Sequence, residues 1–386
     1  MPTRSDRMIS VQMPVMGFVS DLMQENPGTI SLGQGVAYYG PPDSALKAAA
    51  QAITSSETHR YGYVIGRPEL RSAFDRKLQA ENRLDPGYEV IVTAGSNMAF
   101  FASLLAVTSP GDEVILLVPY YFNHEMATRI AGCKPVLVSL SDSLAPDLEA
   151  IQHAITPRTR AIVTISPNNP TGVVYTPETL KAINCLCAEH GIYHMSDEAY
   201  EYFTFDGAEH FSPGSESGAH AHTISLFSMS KAYGMAGWRL GYMAVPPHIS
   251  ADIRKIQDTN QICPAILSQV AALAALEEGA DYCRQYLSAM ADVRTMVLQR
   301  LRDLQAPVKI SPSQGAFYYL LSIDTPLDAK SLTARLIQEY RVATIPGDTF
   351  GMAGGTHLRI AYGALQVSTL TEAIDRLVKG IEALTG

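Results

Sequence analysis

The chain predicts an α/β fold: a mainly parallel central sheet covered by helices, with a smaller α+β unit beside it. From residue 44 to about 280, short β-branched or apolar runs alternate with helical patterns. That alternation is the mark of parallel strands joined by helical crossovers. After Pro264 the character changes to successive helices, and then to short strands mixed with helices. Length agrees, because 386 residues exceed what one compact core ordinarily serves.

The elements follow in order. SALKAAAQAIT and RPELRSAFDRKLQAEN read as helices, the second with Pro68 in its first turn, where a missing N–H does no harm. Six runs read as strands: 89–94, 113–118, 135–140, 160–166, 192–197 and 222–227. AILSQVAALAALEEG and DYCRQYLSAMADVRTMVLQRLRDL are helical, the latter long enough to bridge two units. GAFYYLLS and HLRIAY read as strands, AKSLTARLIQEY and STLTEAIDRLVKGIEAL as helices. The first 40 residues have Gly- and Pro-rich turns and no evident core, and are expected to drape over the rest. The expected division is a large domain over 43–288 and a small one made of 1–42 with 289–386.

Hydrophobic residues make up 47% and charged residues 17%, which suits a globular protein. A net charge of −9 with no Lys/Arg cluster leaves no electrostatic footprint for nucleic acid. The five cysteines, Cys133, Cys185, Cys187, Cys263 and Cys283, form neither a disulfide framework nor a zinc pattern, which favours a reducing compartment. The N-terminal stretch lacks the apolar core of a signal peptide, and no apolar run approaches the ~20 residues of a membrane span. A soluble, cytoplasmic protein without a metal site is expected, His220 and His222 having no partner ligands in sequence.

The chemistry lies in turns after strands. TAGSNMAF offers the backbone N–H groups of Gly95, Ser96 and Asn97 at a helix N-terminus, where an anion such as phosphate is favoured. A plain strand-to-helix turn reads the same way. SPNNPTG dictates a turn and sets Asn169 where parallel strand ends meet ligands. SDEAYEYF supplies Asp197 and Tyr200; the carboxylate either caps the next helix or awaits a cation. SMSKAYGMAGWRLGY surrounds Lys231 with Ser228, Ser230, Ala232 and Gly234, a poor setting for a solvated charge, and adds Arg239 eight positions on. HLRIAYG adds Arg359. Both arginines sit in apolar-flanked strand patterns, where Arg is rare unless paired, and the guanidinium fork suits phosphate or carboxylate.

Taken together, these residues match the needs of pyridoxal 5'-phosphate. Its phosphate requires backbone donors, hydroxyls and an arginine. Its ring nitrogen requires a carboxylate, its ring oxygen donors such as Asn169 and Tyr200, and its aldehyde a lysine.

The order and spacing of these motifs, 28 residues from Asn169 to Asp197 and 31 from Tyr200 to Lys231, resemble the class I/II aminotransferases of fold type I over nearly the whole chain. The resemblance implies that Lys231 carries the cofactor and exchanges the Cα proton, with Asp197 and Tyr200 as the other catalytic groups. It implies Arg359 and Asn169 as the clamp on the substrate α-carboxylate, with the backbone of Gly35 nearby. Tyr121 takes the place of the ring stacked on the cofactor, and Ser228 and Ser230 give hydroxyls to the phosphate. Tyr61 is similar to a tyrosine that reaches the neighbouring subunit's phosphate, which implies a homodimer with shared sites.

Transamination from an L-amino acid to a 2-oxo acid is the expected reaction. A lyase or cyclase acting on a functionalised, even cationic arginine-derived, amino acid would use the same residues. No second arginine is evident for a side-chain carboxylate. Tyr38, Tyr39, Phe122, Tyr318 and Tyr319 are candidates for an aromatic or thioether pocket, or for ordinary core. The stretches SLGQGV…YGPP and PYYFNHEMA are similar to plant and cyanobacterial aminotransferases of aromatic amino acids and methionine. Asp258 falls in a region that contacts substrate across the dimer in relatives, which leaves a cationic substrate open, although a solvated helix residue is the favoured reading.

Overall fold

The computed structural model describes residues 3–385. Its large sheet has seven strands, in the order Glu89–Thr93, Gly241–Val245, Thr223–Ser228, Tyr193–Asp197, Thr159–Ile165, Glu113–Val118 and Lys134–Ser139. Neighbours from Thr223–Ser228 to Lys134–Ser139 pair in parallel, while Gly241–Val245 runs against both of its neighbours. Both faces are covered, because successive side chains of a strand point to opposite sides. Val90 and Val92 join one apolar cluster and Ile91 another. Each such fully buried aliphatic side chain contributes roughly 1.5–3 kcal/mol.

The six runs read as strands all lie in this sheet. The seventh strand corrects the reading of Arg239 as part of a strand. A 3-10 turn at Ala236–Trp238 is followed by Arg239 in the left-handed region, φ 51°, with an exposed side chain, and the strand starts only at Gly241. A Cβ at Gly241 would come 2.7 Å from the Phe227 carbonyl oxygen and 2.8 Å from the Ser96 nitrogen. Only a glycine lets the strand approach the start of the helix Ser96–Val107 so closely.

The second sheet is antiparallel, in the order Ile345–Pro346, Thr356–Ala361, Tyr318–Ile323 and Val308–Ile310. Its register sets Leu320 opposite Arg359 and Tyr318 opposite Ala361. Arg359 and Tyr318 are therefore diagonal neighbours on one face.

The first 40 residues do not merely drape. The helix Val15–Glu25 buries Val15 and Val19 against Ile337, Ile345 and Phe350, and Ile30–Ser31 pairs in parallel with Val342–Ala343. The apolar positions 15, 19, 22 and 23 do follow a helical period, but the flanking Pro and Gly residues conceal it in sequence. Among the described residues no helix is long and apolar enough to cross a membrane.

Candidate active site

The C-terminal ends of the parallel strands converge on one cavity. Asp197 ends its strand there, and Asn169 and Ser228 sit just past or at the ends of theirs. The helix Ser96–Val107 points its N-terminus at the same space, with Ser96 and Asn97 in the wall. Tyr121, Tyr200, Ser230, Lys231 and Arg239 complete the polar lining.

The phosphate end is built from backbone. Gly95 has φ 84°, open to glycine, and a Cβ there would lie 2.6 Å from the Arg239 guanidinium. The first N–H groups of a helix have no intrahelical partner, and the dipole adds positive potential. Ser228 turns its oxygen to accept from the Ser230 N–H at 3.1 Å, which orients both residues at the cavity. Free backbone donors, two hydroxyls and a guanidinium form a donor set for a phosphate monoester dianion.

Lys231 is the cation in the middle. Its Nζ donates to the Gly35 carbonyl and lies 5.8 Å from the Tyr200 ring centroid. Burial, reinforced by the Arg359 and Arg239 charges and opposed by Asp197, pushes its pKa down to about 8. A lysine so poised is partly neutral near physiological pH, as condensation with an aldehyde requires.

Asp197 is buried and held at both oxygens. Oδ1 accepts from the Ala199 N–H at 3.1 Å, and Oδ2 lies 3.1 Å from His124 Nε2, which must carry a proton to donate. His124 was not singled out from the sequence. Its ring stacks on Phe100 at 4.0 Å and meets Tyr121 edge-on at 5.3 Å. The available signal was a histidine three residues after Tyr121, in the first turn of the helix Phe122–Ile130.

The turn that follows Asp197 faces two ways. Asp197 and Tyr200 line the cavity, while Glu198 and Glu201 point behind it into a buried polar network. Lys77 Nζ reaches Glu201 at 2.5 Å and Asn82 at 2.7 Å; Asn82 in turn donates to Glu201 at 2.8 Å and to Ser212 at 2.9 Å. Glu198 accepts from Ser212 and contacts His210 at 2.9 Å.

Arg359, 3% exposed, donates to Asn169 Oδ1 at 2.9 Å and to the Gly33 carbonyl at 2.5 Å, while its Nε has no partner. A buried guanidinium with a spare donor beside the cavity is suited to an incoming carboxylate. Asn168, not Asn169, shapes the turn, accepting from the Thr171 N–H and hydroxyl at 3.1 and 2.8 Å.

Other expected residues lie elsewhere. Tyr61 is 80% exposed and stays outside the cavity of its own chain. Tyr39 stacks on Tyr286 at 3.9 Å and donates to the Ala232 carbonyl, Tyr38 packs against the same pair, and Tyr319 donates to the Arg294 carbonyl. Phe122 packs with Phe350 in the cluster under the N-terminal helix. Only Tyr318 of the aromatic candidates reaches the site, through Tyr200 and Arg359. Asp258 lies on an exposed helix face beside a separate groove with Tyr63 and Arg254. The arrangement thus fits pyridoxal phosphate, with an anion cradle, a lysine amine and a fixed carboxylate around one space.

Comparison with known proteins agrees with this geometry. The family model for aminotransferase class I and II matches residues 27–377. An aromatic aminotransferase of Arabidopsis thaliana is 35% identical, over 98% of this chain and 96% of that protein. Aromatic-amino-acid aminotransferase 2 of Thermococcus litoralis is 33% identical, over 97% of each. The solved aspartate aminotransferase of Thermus thermophilus with maleate superposes with a TM-score of 0.90 at 33% identity, covering 98% of this chain and 100% of that one. The chain belongs to the class I and II aminotransferases, fold-type I enzymes that use pyridoxal 5'-phosphate to move amino groups between amino acids and 2-oxo acids.

Proposed function

We propose that this aminotransferase takes the amino group from an L-amino acid with an aromatic or thioether side chain. One observation carries the reading. Among the described residues, three cations stand at the cavity and its edge, Lys231, Arg239 and Arg359, and each has a task. Within one copy of the chain, none of these three is left for a side-chain carboxylate. The names of the Arabidopsis and Thermococcus relatives support the same substrate class.

In this reading Arg239, Ser228, Ser230, Ser96, Asn97 and the Gly95 turn would hold the phosphate, Tyr121 would lie against the ring, and Lys231 would carry the covalent attachment. The bound cofactor supplies an electron sink for the substrate Cα. Asp197 would keep the ring nitrogen protonated, and Asn169 and Tyr200 would donate to the ring oxygen. Arg359 clamps the α-carboxylate together with Asn169, beside the Gly35 backbone. Lys231 Nζ, once released, takes the Cα proton and returns it on the same side of the site. A lysine whose pKa lies near 8 suits both directions of that transfer.

The same reading pairs two copies of the chain, with Tyr61 reaching the partner's phosphate site. The exposure of Tyr61 at 80% and Tyr63 at 65% supports it, since large rings rarely stay in water together without a partner surface. Five free cysteines support a reducing, cytoplasmic setting.

The test is the visible spectrum of the cofactor-loaded protein, titrated with single amino acids and no oxo acid. Phenylalanine, tyrosine, tryptophan and methionine should convert the lysine-bound band to the aminated form, reversibly on adding a 2-oxo acid. Conversion by aspartate or glutamate alone would reject the substrate class. Turnover of an arginine-derived amino acid without an acceptor would favour elimination or cyclisation.

A further inference from the structure

We propose that Tyr318 fixes the direction of the Tyr200 hydrogen bond, as a positioning residue that makes Tyr200 donate into the cavity. The two phenol oxygens are 2.5 Å apart, and the rings meet edge-on, centroids 5.5 Å apart at 79°. Each hydroxyl has one hydrogen, so only one donates to the other. Tyr200 lines the cavity, while Tyr318 is fully buried and does not. Neither hydroxyl makes another hydrogen bond among the described residues, so the cavity decides which of them donates. An anionic oxygen in the cavity can take the proton of Tyr200 alone, and Tyr318 then spends its own proton on Tyr200. In a low-dielectric site each donor in such a chain strengthens the next.

The surroundings hold Tyr318 in that role. Its ring lies under the Arg359 guanidinium, 4.6 Å away, as the diagonal register of the second sheet dictates. The Gly35 backbone closes on its oxygen, and any Cβ at Gly35 would overlap the hydroxyl. Burial raises the pKa of both phenols, Tyr318 to about 12 and Tyr200 further, so both stay protonated. Through one side chain the carboxylate clamp and the ring-oxygen donor are thus mechanically joined.

This inference rests on the reading that Tyr200 donates to the ring oxygen of the cofactor. A donor there stabilises negative charge on that oxygen and lowers the proton affinity of the lysine-linked nitrogen beside it. The experiment is the pH titration of the visible band in cofactor-loaded wild type, Tyr200→Phe, Tyr318→Phe and the double variant, with thermal midpoints recorded alongside. Tyr200→Phe is expected to raise the titration midpoint by about one unit or more, and Tyr318→Phe by about half a unit. The double variant should match Tyr200→Phe alone. No shift in Tyr200→Phe would reject the underlying site reading. A Tyr200→Phe shift without a Tyr318→Phe shift, or a Tyr318→Phe shift that persists in the Tyr200→Phe background, would overturn the relay itself. Tyr318→Leu supplies the same readout if Tyr318→Phe does not retain cofactor.

Discussion

The depressed pKa of Lys231 predicts how the apoprotein takes up its cofactor. Only the neutral amine attacks an aldehyde. With a pKa near 8 in place of 10.5, about a quarter of the protein is reactive at pH 7.5, against about one part in a thousand for an ordinary lysine. Burial is the first cause and the Arg359 and Arg239 charges the next. The assay is rapid mixing of apoprotein with pyridoxal phosphate from pH 6.5 to 10, monitoring the lysine-bound band. Free Nα-acetyl-lysine amide serves to correct for ionisation of the cofactor itself. The corrected rate should rise about tenfold per unit below pH 8 and flatten above it. Replacing Arg359 by Met removes a cation that disfavours the ammonium, so the break should move to higher pH while remaining below 10.5. A rate that climbs without a break through pH 10 would refute the reasoning, as would a break unmoved by the arginine change.

Three further outcomes follow from contacts in the site. His124→Phe leaves one oxygen of a buried carboxylate without its donor, a loss of about 1–3 kcal/mol, so kcat should fall roughly 5- to 150-fold at full cofactor content; unchanged kcat would remove His124 from the support of Asp197. Lys77→Met leaves Glu201 without its counter-ion, with only the Asn82 amide donating to it, and should cost about 3–5 kcal/mol in denaturant unfolding, with Lys77→Met/Glu201→Leu recovering much of it. A double variant no more stable than the single one would contradict that account. Gly241→Ala forces the strand away from Phe227 and Ser96 and should weaken pyridoxal phosphate affinity by about tenfold or more, measured by equilibrium dialysis.

What was legible in the sequence was local. A strand ending in SDEAY, a turn as strongly coded as NNPTG, and a lysine among serines each report through a few adjacent residues. Their backbones bring Asp197, Asn169 and Lys231 to one end of a parallel sheet whatever the details of packing. The alternation of short apolar runs with helical patterns predicted the sheet for the same reason, because period and length are properties of neighbours along the chain.

The rest depended on residues far apart in sequence. Arg239 leaves the strand pattern because Gly241 must meet Ser96, an approach that its own segment does not reveal. The N-terminal helix has its apolar stripe, but its core is Ile337, Ile345 and Phe350, more than 300 residues away. His124 becomes a partner of Asp197 only when two crossover units lie side by side, and Tyr318 meets Tyr200 across 118 positions. The sequence alone determined six of the seven strands of the large sheet, the family and the polar residues of the cavity wall. Which buried donors face those residues, and therefore how their protons are held, was decided by tertiary packing, because a hydrogen bond between distant elements leaves no periodicity in the chain.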